Sequence, residues 1–233
     1  MIDAIMALEG FYHLLIIDDG SPDGTADIVR EKQDEFGTRV FLIERDKKLG
    51  LGTAYIYGFK WGLERDYQYF FEMDADFSHP PKDLDRLLDA CETQGADVSI
   101  GSRYVSGGGV VNWPKNRLFL SKGASLYSKI ITGMPIQDPT AGFICYKRIV
   151  LETLDLDKIR FVGYAFQIGM KYLAYKAGFT LKEVPILFLE RQYGESKMHL
   201  GIIREGIIGV LQLRLSSVFK TRTARKSTRS LTL

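Results

Sequence analysis

Apolar runs at residues 13–17, 39–43, 68–73 and 96–100 punctuate the first part of the chain. They are too short for helices and rich in β-branched or aromatic side chains, so they read as strands. Helical segments separate them. The first starts at Ser21-Pro22-Asp23-Gly24-Thr25, whose hydroxyl, proline and acid favour a helix start, and reaches about Phe36. The second covers residues 53–64 after a glycine-containing loop, and the third covers 81–93. Strands alternating with helices need crossover connections, which predicts a doubly wound, mainly parallel α/β sheet. Farther on, 161–178 reads as an amphipathic helix, 180–189 as β-rich, and 200–219 as rich in Ile and Leu. Residues 1–10 are helix-like.

In such sheets ligands bind outside the carboxyl ends of the strands, so the residues after each run carry the functional signal. After the first come Asp18 and Asp19; after the second, Arg45, Lys47 and Lys48 with Gly50 and Gly52. The third delivers Asp74 and Asp76, and the fourth Ser102 and Arg103. Two acids one residue apart at a strand end can share a hard divalent cation that also binds phosphate oxygens. Asp18 or Asp19 can accept hydrogen bonds from a nucleobase or ribose. The Lys48–Gly52 loop lets backbone approach a nucleotide, or is simply a flexible connection into a helix. His79 follows the paired acids without a metal-ligand spacing, and it serves either phosphate contact or helix entry beside Pro80 and Pro81.

Charge changes the picture at one end only. Of the 31 basic residues, six fall in 206–233, which contains no acid, leaving 25 basic against 29 acidic residues before it. A mildly acidic body thus carries a strongly basic tail, which reads as a contact for anionic lipid or nucleic acid, or as a solubilising end. Cys91 and Cys145 lie far apart with no CxxC spacing, which indicates neither a zinc site nor a disulfide framework and fits a reducing compartment. Nothing at the start reads as a signal peptide.

Four ordered motifs resemble the dolichyl-phosphate (polyprenyl-phosphate) mannose synthases, inverting family-2 glycosyltransferases with the GT-A fold. They are Asp18-Asp19-Gly20-Ser21-Pro22-Asp23-Gly24-Thr25, Lys48-Leu49-Gly50-Leu51-Gly52-Thr53-Ala54, Asp74-Ala75-Asp76-Phe77-Ser78-His79-Pro80-Pro81 and Gly101-Ser102-Arg103-Tyr104-Val105. The resemblance runs from about Leu14 to Lys197. It implies inverting transfer of mannose from GDP-mannose to a polyprenyl phosphate with Mg²⁺ or Mn²⁺. Asp74 and Asp76 would be the metal ligands; where some members have a further glutamine contact, this chain has Ser78. Asp18, Asp19, Lys48, Gly50 and Asp74 would bind the nucleotide sugar. Arg191 and Lys197, in a segment similar to the family's RxxGxSK loop, would close over the diphosphate.

Arg103, Arg117 and Ser121 would hold the acceptor phosphate. Arg117 and Ser121 are four apart, hence on one helix face, and guanidinium forks suit a phosphate. Asp138-Pro139-Thr140-Ala141-Gly142-Phe143 resembles the segment lining the sugar and acceptor side, and Gln167 a position facing the acceptor. The catalytic set would be Asp76, Arg117 and Asp138. Family members open with a strand ending in a Pro-Thr-Tyr-Asn-Glu-like turn that residues 1–10 do not show, so the expectation is that the first strand is absent, either because the start is truncated or misassigned or because the strand has been lost. The alternatives are a UDP-glucose or other UDP-sugar transferase and a non-catalytic lipid-binding relative. A phosphatase with a strand-end Asp-x-Asp would need downstream lysine and acidic motifs, and a Rossmann dehydrogenase would need GxGxxG after its first strand.

The expected organisation is a transferase domain over 1–198, an amphipathic interfacial helix over 199–219 and a basic, disordered tail over 220–233. Between Glu205 and Arg214 only eight residues are uncharged, well short of the ~20 that span a bilayer. The apolar helix and basic tail read as an interfacial anchor, or as a helix packed on the domain with a frayed end. The expected location is peripheral, on the cytoplasmic face of a membrane. The expected partners are a nucleotide sugar, a lipid phosphate and the membrane surface, with the small membrane subunit some relatives use, and not nucleic acid.

Overall fold

A computed structural model describes residues 1–159, 163–190 and 204–215 of the chain. A short helix α1 (Ile2–Met6) precedes β1 (Leu14–Asp18), α2 (Thr25–Phe36), β2 (Val40–Glu44), α3 (Leu51–Leu63) and β3 (Tyr69–Glu72). Then follow α4 (Asp83–Glu92), β4 (Val98–Ser102), β5 (Gly109–Val110), α5 (Lys115–Thr132), β6 (Ile144–Lys147) and α6 (Arg148–Thr153). The last elements are α7 (Tyr164–Lys176), β7 (Leu181–Pro185), β8 (Leu187–Phe188) and a helix α8 over 204–215. The four apolar runs are strands within a residue or two of their expected bounds.

The strands form three ladders. β1 and β2 pair in parallel, with Leu14 opposite Val40. The main sheet has the order β3-β6-β4-β7, in which β4 and β7 are parallel while β6 runs antiparallel to both β3 and β4. This reversed strand is invisible in the alternation of strands and helices, because it arrives after the long helix α5 rather than as a further strand–helix unit. β5 and β8 add a small parallel pair. Among the described residues β1 is laddered to β2 alone.

One helix ties the two parts together. On α3, Gly58 faces Leu15 and Ile17 of β1, and Gly62 faces Phe70 of β3 so closely that a Cβ there would sit 2.4 Å from the ring. The larger core gathers Ile100, Ile144, Tyr146, Phe166 and Met170 between the main sheet and α7; the smaller gathers Leu84, Leu87 and Phe143 under α4. α8 is docked on the domain, with Val210 and Leu213 inside the larger core and the Tyr127 hydroxyl of α5 donating to Ile207 O (3.0 Å). The expected boundary at 198/199 therefore separates segments that share a core. The basic tail over 220–233 lies outside the described residues.

Candidate active site

β3 ends at Glu72, and the chain turns at once through Asp74, Asp76 and Phe77, whose φ of 61° is unusual for a residue with a side chain. Both acids are half-buried. Their loop is held from three directions. Ser78 donates its backbone N–H to Asp76 Oδ1 (3.0 Å), and its hydroxyl donates to the same oxygen. His79 Nδ1 accepts the Asp74 N–H (3.2 Å), and Ser78 O accepts the Leu189 N–H (3.1 Å). The His79 imidazole is buried, stacked on Phe143 (5.0 Å) and edge-on to Phe188 (5.2 Å). Burial, reinforced by the Arg103 charge, pushes its pKa down to about 3, so the ring is neutral and can accept. The structure gives His79 an orienting role on the loop, which is neither the phosphate contact nor the helix entry expected for it.

Phe188 is the meeting point of the two halves of the site. It packs against His79 from the acidic loop and against Trp113 (5.2 Å), and the Arg103 guanidinium lies over it (5.6 Å). Arg117, on the first turn of α5, stacks over Trp113 (4.0 Å) and pairs with Glu190 (2.9 Å), next to the Leu189 that is bonded to Ser78. Asp76 and Arg117, 41 positions apart in the sequence, are thereby joined through a short run of contacts. Ser121 is buried and accepts a hydrogen bond from the Tyr104 hydroxyl (2.7 Å).

Arg103 follows β4, and its Nε and Nη2 donate to the two oxygens of Asp138 (both 2.7 Å). Asp138 is fully buried and also accepts from Thr140 Oγ1 (3.0 Å) and Ser125 Oγ (3.3 Å). Burial alone would raise its carboxyl, but the Arg103 charge and hydrogen bonds hold it below the usual range. Glu183 on β7 accepts the backbone N–H groups of Gln137 and Asp138 (2.7 and 2.8 Å). Asp138 therefore orients Arg103 and is sealed from any substrate. Next in the loop comes Gly142, where a Cβ would lie 2.4 Å from the Gln167 amide, so the buried Gln167 supports this loop. A cleft of about 930 Å³ runs from Arg103 and Tyr104 along α5, past Leu118, Lys122, Leu126 and Ile130.

At the carboxyl end of β1, Asp18 is buried and accepts the N–H groups of Gly20 (3.0 Å) and Ser21 (2.9 Å). A hydrogen bond from the Ser21 side chain, followed by these two backbone bonds, lowers its pKa against the opposing effect of burial. Asp19 pairs with Arg45 (2.6 Å), which also reaches Thr53 Oγ1 (3.0 Å); Thr53 in turn donates to Gly50 O (2.7 Å). The glycine loop is thus pinned to Asp19, with Lys48 exposed upon it. Arg191 and Lys197 lie outside the described residues. Tyr104 stands in the fourth motif without a role of its own there, and Glu183 and Glu190 carry no local signal, because the partners of all three are distant in sequence.

A model of glycosyl transferase family 2 matches residues 1–155. The chain belongs to this family. This family-2 transferase is 50% identical over 200 residues to polyprenol monophosphomannose synthase of Mycolicibacterium smegmatis, covering 86% of this chain and 75% of that protein. It is 45% identical over 212 residues to undecaprenyl-phosphate mannosyltransferase of Micrococcus luteus, covering 91% and 86% of the two chains. Among solved structures it is similar to glucosyl-3-phosphoglycerate synthase from Mycobacterium tuberculosis, crystallised with Mn²⁺, UDP and glucosyl-3-phosphoglycerate. The TM-score is 0.59 at 18% identity, covering 91% of this chain and 73% of that one. That likeness establishes the GT-A fold for the family-2 transferase.

Proposed function

We propose that the chain transfers mannose from GDP-mannose to the phosphate of a polyprenyl phosphate, with inversion, at a membrane surface. The observation that carries this reading is the meeting of the Asp74/Asp76 loop with Arg103 and Arg117 around Phe188 and Trp113. The identity of half the aligned positions to a polyprenol monophosphomannose synthase supports the sugar and the acceptor.

Asp74 and Asp76 fit a divalent cation: two carboxylates at a half-buried turn suit Mg²⁺ or Mn²⁺, which take their other ligands from water and diphosphate oxygens. When bound, the metal neutralises charge developing on the leaving diphosphate. Asp18 and Asp19 accept hydrogen bonds from the nucleoside. Arg103, aimed by Asp138, and Arg117, flattened on Trp113, grip the acceptor phosphate. A phosphate monoester is largely ionised near neutral pH, so its oxygen attacks the anomeric carbon without a general base while the bond to the diphosphate breaks. In-line displacement of an α-linked donor gives a β-linked product and GDP.

The outward side of α8 is apolar at Ile207, Ile208, Leu211 and Leu215, and neighbouring α5 exposes Phe119, Leu126 and Ile130. No described helix is long and apolar enough to cross a membrane. An exposed apolar surface of this size, beside Lys122 and Lys129, supports peripheral docking on anionic lipid. We assign the enzyme to the cytoplasmic face, where a nucleotide sugar is at hand.

Incubation with labelled GDP-mannose or UDP-glucose, a short polyprenyl phosphate and Mn²⁺, followed by organic extraction, tests the reading. Label from GDP-mannose enters the lipid phase and is lost on chelation. Transfer only from UDP-glucose would replace the donor, and no transfer from either would refute the transferase reading.

A further inference from the structure

Two buried charged groups lie beneath the site and take no part in the displacement. Lys171, in α7, is fully buried and donates from Nζ to Ala141 O (2.6 Å). Glu72, the last residue of β3, is equally buried; its Oε1 accepts from the Tyr146 hydroxyl (3.0 Å), and its Oε2 has no hydrogen-bond partner among the described residues. Burial pushes the Glu72 carboxyl up to about 7 and the Lys171 ammonium down to about 8, and the opposite charge of each restrains the other's shift. A buried charge pair is poor evidence of stability, because apolar residues of similar size often serve as well. What distinguishes these two groups is the backbone each is tied to: Lys171 binds the Ala141 carbonyl, and Glu72 ends the strand that leads into the acidic turn.

Glu72 precedes Asp74 by two residues, so its side chain is anchored to the strand that presents the paired acids. Ala141 belongs to the loop that begins at Asp138, the partner of Arg103. One turn before Lys171, Gln167 rests on Gly142, so α7 grips two consecutive loop residues from one face. We propose that Lys171 is a positioning residue: by binding Ala141 O it fixes the Asp138–Gly142 loop and, through it, the Asp138 carboxylate that aims Arg103. This rests on the assignment of Arg103 to the acceptor phosphate.

The test uses the full chain and four variants: Lys171→Met, Glu72→Gln, the double variant, and Arg103→Gln. Each is measured by thermal melting, by the melting shift that GDP and Mn²⁺ produce, and by kcat and acceptor KM with a short polyprenyl phosphate. Lys171→Met removes the bond to Ala141 O and leaves Glu72 buried without the facing cation, which lowers the melting temperature; the double variant replaces both ionisable groups and recovers most of it. The positioning role predicts that the restored double variant still loses about 10- to 100-fold in acceptor kcat/KM, with the GDP shift unchanged. A folded double variant with full acceptor kcat/KM would reduce Lys171 to a structural residue. If Arg103→Gln leaves the acceptor KM unaltered, the acceptor assignment falls and takes this inference with it. If Arg103→Gln raises that KM and the double variant does not, the inference alone is lost.

Discussion

β1 and β4 are both parallel strands followed at their carboxyl ends by charged residues, yet they are built into very different surroundings. All five residues of β4 are buried, with β6 laddered on one edge, β7 on the other and α4 packed on a face. In β1, Leu14, Leu15, Ile16 and Ile17 are all only half-buried, and among the described residues its one ladder partner is β2. The loops that follow reflect the difference. Arg103 is aimed by a buried carboxylate, and the Asp74/Asp76 turn is supported by buried His79 and Ser78. Asp18 and Asp19 rely on bonds from their own turn and on Arg45. The lesson is that the loops after β3 and β4 are held by buried side chains, and the loop after β1 by its own turn and one ion pair to Arg45, so substitutions should separate them.

The largest separation is expected in turnover. Asp76→Asn should lower kcat about a thousandfold, roughly 4 kcal/mol of lost transition-state stabilisation. Asp18→Asn should act mainly through donor KM. Steady-state rates over a range of donor concentrations check this, and a fall in kcat of equal size in both would erase the distinction. Stability comes next: Ile144→Ala, which empties a fully buried site in β6, should cost about 3–5 kcal/mol in urea unfolding, against about 1–2 kcal/mol for Ile16→Ala. Equal costs would mean that β1 is as well packed as the main sheet.

Native-state hydrogen exchange sharpens the same contrast without mutation. Amides of β4 and β6 should outlast those of β1 and β2 by about tenfold or more, because an edge strand with half-exposed side chains opens locally at lower cost. The smallest effect is expected from Arg45→Lys, which keeps the charge near Asp19 but loses the fork that also reaches Thr53. Donor KM should rise only about three- to tenfold, with kcat and the melting temperature nearly unchanged. A large drop in melting temperature would make Arg45 a scaffold residue instead.

The strands before Asp18, Asp74 and Arg103 were legible because a short apolar run closed by polar loop residues has few other readings. So were the helix starting at Thr25 and the grouping of Arg117 with Ser121, since both depend on neighbours a few positions away. β6 was not legible: Ile144–Lys147 follows a loop and precedes a short helix, and nothing local states that it runs backwards between β3 and β4. Asp138, taken as part of the catalytic set, turned out to be enclosed, because its burial depends on Arg103, Ser125 and Thr140 closing round it. Lys171 left a trace, as a cation inside the largely apolar run Ala165–Tyr172, but the Ala141 carbonyl it binds lies 30 positions earlier.

By itself the sequence determined which residues stand at strand ends, which acids occur in pairs and how the chain alternates, for these are local properties of spacing and side-chain chemistry. Only the tertiary structure decided that His79 is a neutral support for the acidic turn, that Asp138 serves Arg103, and that the Asp76 loop and Arg117 share Phe188 and Trp113. Those relations arise because sheet order and helix docking bring distant segments into contact and exclude water between them, and the loss of water turns ordinary polar side chains into fixed, oriented groups.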